Sequence, residues 1–96
     1  MSDILAAALR RYPGDEIGRM LGSPALRAGG RCYAFVAGDD LIVKLPAARV
    51  AELVAGGAGR PCSPRPGRPM REWVRVQPDL SYVVEARTFV AGPSPG

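Results

Sequence analysis

The feature that most limits how this chain can fold is a pair of glycine-centred turns set inside one apolar stretch, Ala25 to Pro46. Gly29-Gly30 can supply the positive φ angles that both central positions of a type I′ turn require. Gly38-Asp39 fits a two-residue loop with glycine first, the type II′ pattern. The segments around these turns, ALRA, RCYAFVA and DLIVKLP, predict a three-stranded antiparallel meander. Two-residue loops also set the register. Leu26 is expected opposite Tyr33, Tyr33 opposite Lys44, and Phe35 opposite Ile42. On the other face Ala25, Ala34 and Val43 line up, as do Arg27, Cys32 and Leu45, with Val36 beside Leu41.

Neither face of this meander is polar. One carries Ala34, Val36, Leu41, Val43 and Leu45, small enough for a helix to lie close. The other carries Leu26, Tyr33, Phe35 and Ile42, broken by Lys44. A sheet in water usually keeps one polar face, so this one is expected to be covered twice, by its own helices, a second subunit or a ligand. Leu26, Tyr33, Phe35 and Ile42, together with Trp73 from a later strand, form the candidate interaction face.

The flanking segments supply the covers. SDILAAALRRY places Ile4, Leu5, Ala8 and Leu9 at helical spacing, with Ser2 or Asp3 as cap, Arg10-Arg11 at its negative end, and Pro13-Gly14 as its stop. Ile17 to Leu21 reads as a short strand leading into a Gly22-Ser23-Pro24 turn. Pro46 opens a second helix whose Val50, Leu53 and Val54 share a face, and Gly56-Gly57 ends it. The stretch GGAGRPCSPRPGRP, with four prolines in fourteen residues, excludes a helix or a central strand. MREWVRV alternates like a strand, and Asp79 caps a last helix with Leu80, Val83, Val84, Arg87 and Val90 along one side. The expectation is a single α+β domain over residues 1–96, with residues 92–96 as a flexible tail. It would hold an antiparallel sheet of about four or five strands packed with three helices.

Four blocks, in order, resemble the TfoX N-terminal-domain family, competence-regulator-like proteins with an MmcQ/YjbR-like α+β fold. They are MLGSPAL, GGRCYAFVAGDDLIVKLP, RVAELVAGGAG and GRPMREWVRV, and the helix ending ARTFVAG agrees in kind. The resemblance implies a short stand-alone member, without the C-terminal helical domain of the longer regulators. It implies a fold more than an activity, and it carries no catalytic residues to transfer.

Composition narrows the chemistry further. The chain has 96 residues, a net charge of +4, twelve arginines, one lysine and no histidine. General acid–base work at neutral pH most often uses histidine, and Asp39-Asp40 and Asp15-Glu16 both sit in turn contexts, so a non-enzymatic role is expected. Neither the phosphate-binding nor the dinucleotide glycine pattern is present. Cys32 and Cys62 lack a CxxC partner and a histidine to join them, so neither a metal nor a cofactor is expected. Cys32 reads as a small core residue, Cys62 as a loop cysteine beside Arg60 and Arg65. With no signal segment and no membrane-length apolar run, a reduced, cytoplasmic protein is expected, with no membrane partner.

The candidate nucleic-acid or anion contacts are Arg60, Arg65, Arg68 and Arg71, four positive charges in twelve residues, together with Lys44. Trp73 between Arg71 and Arg75 either closes the core with an arginine stacked on it or stands exposed as a binding anchor. Lys44 either snorkels over Tyr33 or lines an anion pocket with Tyr33 and Trp73. The function expected first is an interaction or regulatory module with a protein partner or a homodimer. Behind it stand a weak nucleic-acid accessory and a small-molecule or anion binder.

Overall fold

The computed structural model describes residues 3–20, 22–61 and 71–92. Helix α1 (Asp3–Arg11) buries Ile4, Leu5 and Ala8 and ends in Arg10 and Arg11. A turn, in which the Asp15 amide donates to the Tyr12 carbonyl, leads into β1 (Glu16–Met20). The chain then runs through β2 (Ser23–Ala28), β3 (Arg31–Ala37) and β4 (Asp40–Lys44) as successive antiparallel hairpins. Gly29, Gly30 and Gly38 hold the positive φ angles that their turns demand. The Ser23-Pro24 pair is not part of a turn, as the sequence had suggested; both residues open β2, opposite Met20 and Arg19.

Helix α2 (Ala47–Ala55) starts after Pro46 and buries Val50 and Leu53. Three residues of the proline-rich stretch then form β5 (Gly59–Pro61), an edge strand and so compatible with Pro61. Strand β6 (Trp73–Val76) inserts between β4 and β5, and α3 (Leu80–Ala91) closes the described chain, with the Asp79 carboxylate accepting from the Ser81 amide. The result is one α+β domain with a six-stranded antiparallel sheet in the order β1-β2-β3-β4-β6-β5. It exceeds the expected strand count because β5 forms inside a segment that sequence reads as loop.

The register holds in the second hairpin, where Phe35 pairs with Ile42 and Val36 with Leu41. In the first it holds only near the turn. A bulge between Leu26 and Arg27 shifts the pairing, so Leu26 meets Ala34 and Ala25 meets Phe35. The extra residue changes which side chains share a face. Tyr33 and Leu26 join the large core, and Ala25 passes to the opposite face.

All three helices contribute to that large core, against Tyr33, Leu41, Val43, Leu45 and Val74 among others. Each fully buried aliphatic side chain there stabilises the fold by roughly 1.5–3 kcal/mol. The second cluster, Ala25, Phe35, Ile42 and Trp73, contains strand residues alone. Among the described residues the helices therefore pack on one face only, so of the covers expected for two apolar faces they supply one. Close approach on the helix side is visible at Gly59. A Cβ there would lie 2.6 Å from Val74 Cγ2 and 3.2 Å from Leu53 Cβ.

Candidate functional site

Three polar side chains from distant parts of the chain meet inside the helix-covered core. Asp15 lies in the turn before β1, Tyr33 in the bulge of β3, and Arg87 two turns into α3. The Tyr33 hydroxyl donates to Asp15 Oδ2 at 2.7 Å. Arg87 donates through Nε to Oδ2 at 2.8 Å and through Nη2 to Oδ1 at 3.0 Å, a fork that matches the carboxylate. The Asp15 side chain is 4% exposed. The Arg87 guanidinium also lies over the Tyr12 ring, 4.1 Å from its centroid. Burial, followed by the bond to Asp15, pushes the Tyr33 phenol well above its ordinary range, and the same carboxylate raises Arg87. Each of the three groups has its partner, so this network ties the turn after α1 to β3 and α3. It leaves no side chain aimed at a ligand.

On the opposite face Phe35 and Trp73 pack with ring centroids 5.4 Å apart and planes tilted by 59°. Trp73 is 8% exposed, so it does not offer a ring face for stacking a base. The cation over it is Lys44, with Nζ 5.9 Å from the ring centroid, rather than Arg71 or Arg75. The reason is the register. Lys44 sits directly opposite Trp73, while the bulge has turned Tyr33 to the other side. The rows flanking this apolar centre are charged, with Arg75 paired to Asp40 at 3.2 Å and facing Arg60 on β5.

The anticipated sites therefore separate. Leu26 and Tyr33 lie in the helix-side core, whereas Phe35, Ile42 and Trp73 stay together on the other face. Phe35 and Ile42 are each 2% exposed, so this face is not an open apolar surface. Arg60 and Arg71 are exposed at separate places, one on β5 and one before β6. Arg65, Arg68 and Cys62 lie outside the described residues. Burial pushes the Cys32 thiol up despite the opposing pull of an Ala34 carbonyl contact, Arg27 and Lys44, so it is not an activated thiolate.

What the fold does assemble around Lys44 is a cleft of about 560 Å³ lined by Arg31, Cys32, Lys44, Glu72, Phe89 and Val90. Its floor comes from the start of β3 and the end of β4, and its wall from the last turn of α3. A smaller, almost wholly apolar groove of about 320 Å³ runs between α2 and Trp73, past Ala47, Ala51, Val54 and Arg71. Phe89 escapes sequence reasoning because it reaches Lys44 only when α3 lies across the sheet, and Glu72 because β6 pairs with β4 across a long stretch of sequence. A partial signal exists in Phe89, which falls off the apolar stripe of α3 and is 39% exposed.

Among the described residues no group of three or more Cys, Asp or Glu side chains is arranged to hold a metal ion, and no helix is long and apolar enough to cross a membrane. The class that the fold defines is a small α+β domain, with helices over one face of an antiparallel sheet and a charged cleft at one end of it. Compared with family models, with curated proteins and with solved structures, the chain has no significant match.

Proposed function

We propose that this chain is a small, non-catalytic interaction module, resembling the TfoX N-terminal domain, that self-associates by adding the sheet edges of two copies. The observation that carries the reading is the contrast between the edges of the sheet. Strand β5 is three residues long, ends in Pro61 and is packed by α2. Strand β1 is five residues long, contains no proline and, among the described residues, pairs with β2 on one side only. An open edge of that kind is a template for another strand. Beside it stands Ile17, 40% exposed on the helix-facing side, opposite Leu26.

The charges on β1 suit a second copy. Glu16 and Arg19 leave the edge with one charge of each sign, so two edges meet without net repulsion. An antiparallel pair centred on Gly18 places Arg19 of each copy opposite Ile17 of the other, where the arginine stem can cover the exposed isoleucine. Light scattering on size-separated protein tests this. A mass that rises towards twice the chain mass with concentration is expected, and Ile17→Lys should return it to one chain without lowering the melting temperature. A single-chain mass at every concentration would remove the reading.

A further inference from the structure

We infer that the cleft at the end of β3 and β4 is a binding site for a small aromatic monocarboxylate carrying a hydrogen-bond donor. Arg31 and Lys44 bring two positive charges to one concavity, and among the described residues neither forms an ion pair. The half-buried arginines Arg49, Arg75 and Arg87 are each matched to a carboxylate, whereas half-buried Lys44 has the Trp73 ring beside it, and Arg31 stands exposed at the cleft rim. Among the described residues no carboxylate is paired with either cation, although Glu72 lines the same cleft. A carboxylate ligand supplies it through charge-assisted hydrogen bonds.

Glu72 and Phe89 narrow the class. Among the described residues the acid makes the lining net +1, which disfavours an inorganic dianion and offers an acceptor to a hydroxyl or amino group on the ligand. Phe89 and Val90 form an apolar wall, and an exposed phenylalanine on the rim of a charged cleft is the surface a flat apolar body would cover. The volume, about 560 Å³, lies within the usual range of roughly 300–1,000 Å³ for small-molecule sites. The Cys32 thiol also lines the cleft and serves as wall, its proton held by burial.

The test is a titration of the isotope-labelled protein with 4-hydroxybenzoate at millimolar concentrations, followed by amide chemical shifts. Neutral 4-hydroxybenzyl alcohol and inorganic phosphate serve as the comparison ligands. Saturable shifts centred on Arg31, Cys32, Glu72, Phe89 and Val90 are expected for the carboxylate alone. Arg31→Gln should weaken binding roughly tenfold, the equivalent of one charge-assisted hydrogen bond, with the melting temperature unchanged. Phe89→Ala should weaken it while leaving its salt dependence intact. Absence of saturation overturns the assignment, and so do equal shifts with the neutral alcohol. Equal binding of phosphate, or shifts that cluster on Ala51 and Val54 of the apolar groove, would do the same.

Discussion

The two faces of the sheet are built from similar residues and buried by different means. On one face, side chains from three helices interlock with Leu26, Tyr33, Leu41, Val43 and Val74, and the Asp15–Arg87–Tyr33 network pins the helices in place. On the other, Phe35 and Trp73 pack on each other beside Ala25 and Ile42, with Lys44 over the indole and an Asp40–Arg75 pair to one side. The first face is a conventional layered core. On the second, a short row of aromatic and aliphatic side chains between charged rows is buried with no helix among the described residues packed on it. The lesson is that apolar content alone does not report how a face is covered.

This contrast can be broken most sharply at the buried ion pair. Arg87→Met leaves the Asp15 carboxylate enclosed without its counter-charge and should cost about 3–5 kcal/mol in a urea unfolding experiment. Restoring part of that loss with Asp15→Asn in the same chain would show that the stranded charge, not lost packing, is responsible. Phe35→Ala on the opposite face should cost about 3 kcal/mol, the low end for a buried phenylalanine, because its cluster is the smaller of the two. A loss equal to that of Arg87→Met would mean the two faces are equally rigid.

Gly59→Ala probes how tightly α2 and β6 are drawn together. Its Cβ would stand 2.6 Å from Val74 Cγ2, and the repacking should cost roughly 1–3 kcal/mol by thermal unfolding. The same change at Gly18 meets only the Arg27 stem, with Cδ at 2.6 Å, which can swing away into solvent. That variant should be close to neutral, and a large loss there would assign this face a packing role beyond what its contacts indicate.

The change that sharpens the comparison most by its pH dependence is Tyr33→Phe. It removes one hydrogen bond to a charged acceptor that keeps Arg87, at about 1.5 kcal/mol. In the native protein the Tyr33 phenol is raised above its unfolded value of about 10. Its contribution is thus complete below pH 10 and is lost as pH rises beyond it, because the unfolded chain gives up a proton that the folded one retains. The urea midpoint of the native protein should fall more steeply above pH 10 than that of Tyr33→Phe. Parallel curves would show that the phenol is not held protonated by the core.

Much of the architecture was legible from local chemistry. The helices follow from apolar spacing and from Pro46, Gly57 and Asp79 at their ends, and the hairpins from Gly29-Gly30 and Gly38-Asp39. Lys44 was also recognisable, because one cation in an apolar strand has to be accommodated somehow. Arg87 offered a comparable signal, a charge inside the buried stripe of α3, but its partner is far away in sequence and could not be named.

What the sequence by itself determined was the α+β class, the order of most elements and the second hairpin's register, since each depends on residues within a few positions of one another. The tertiary structure decided the rest. One bulge, which no turn residue signals, moved Tyr33 and Leu26 to the helix face. Packing α3 across β2, β3 and β4 then delivered Arg87 to Asp15 and Phe89 to the Lys44 cleft. Such contacts arise from how two elements settle against each other, and that balance is struck among side chains the sequence places tens of residues apart.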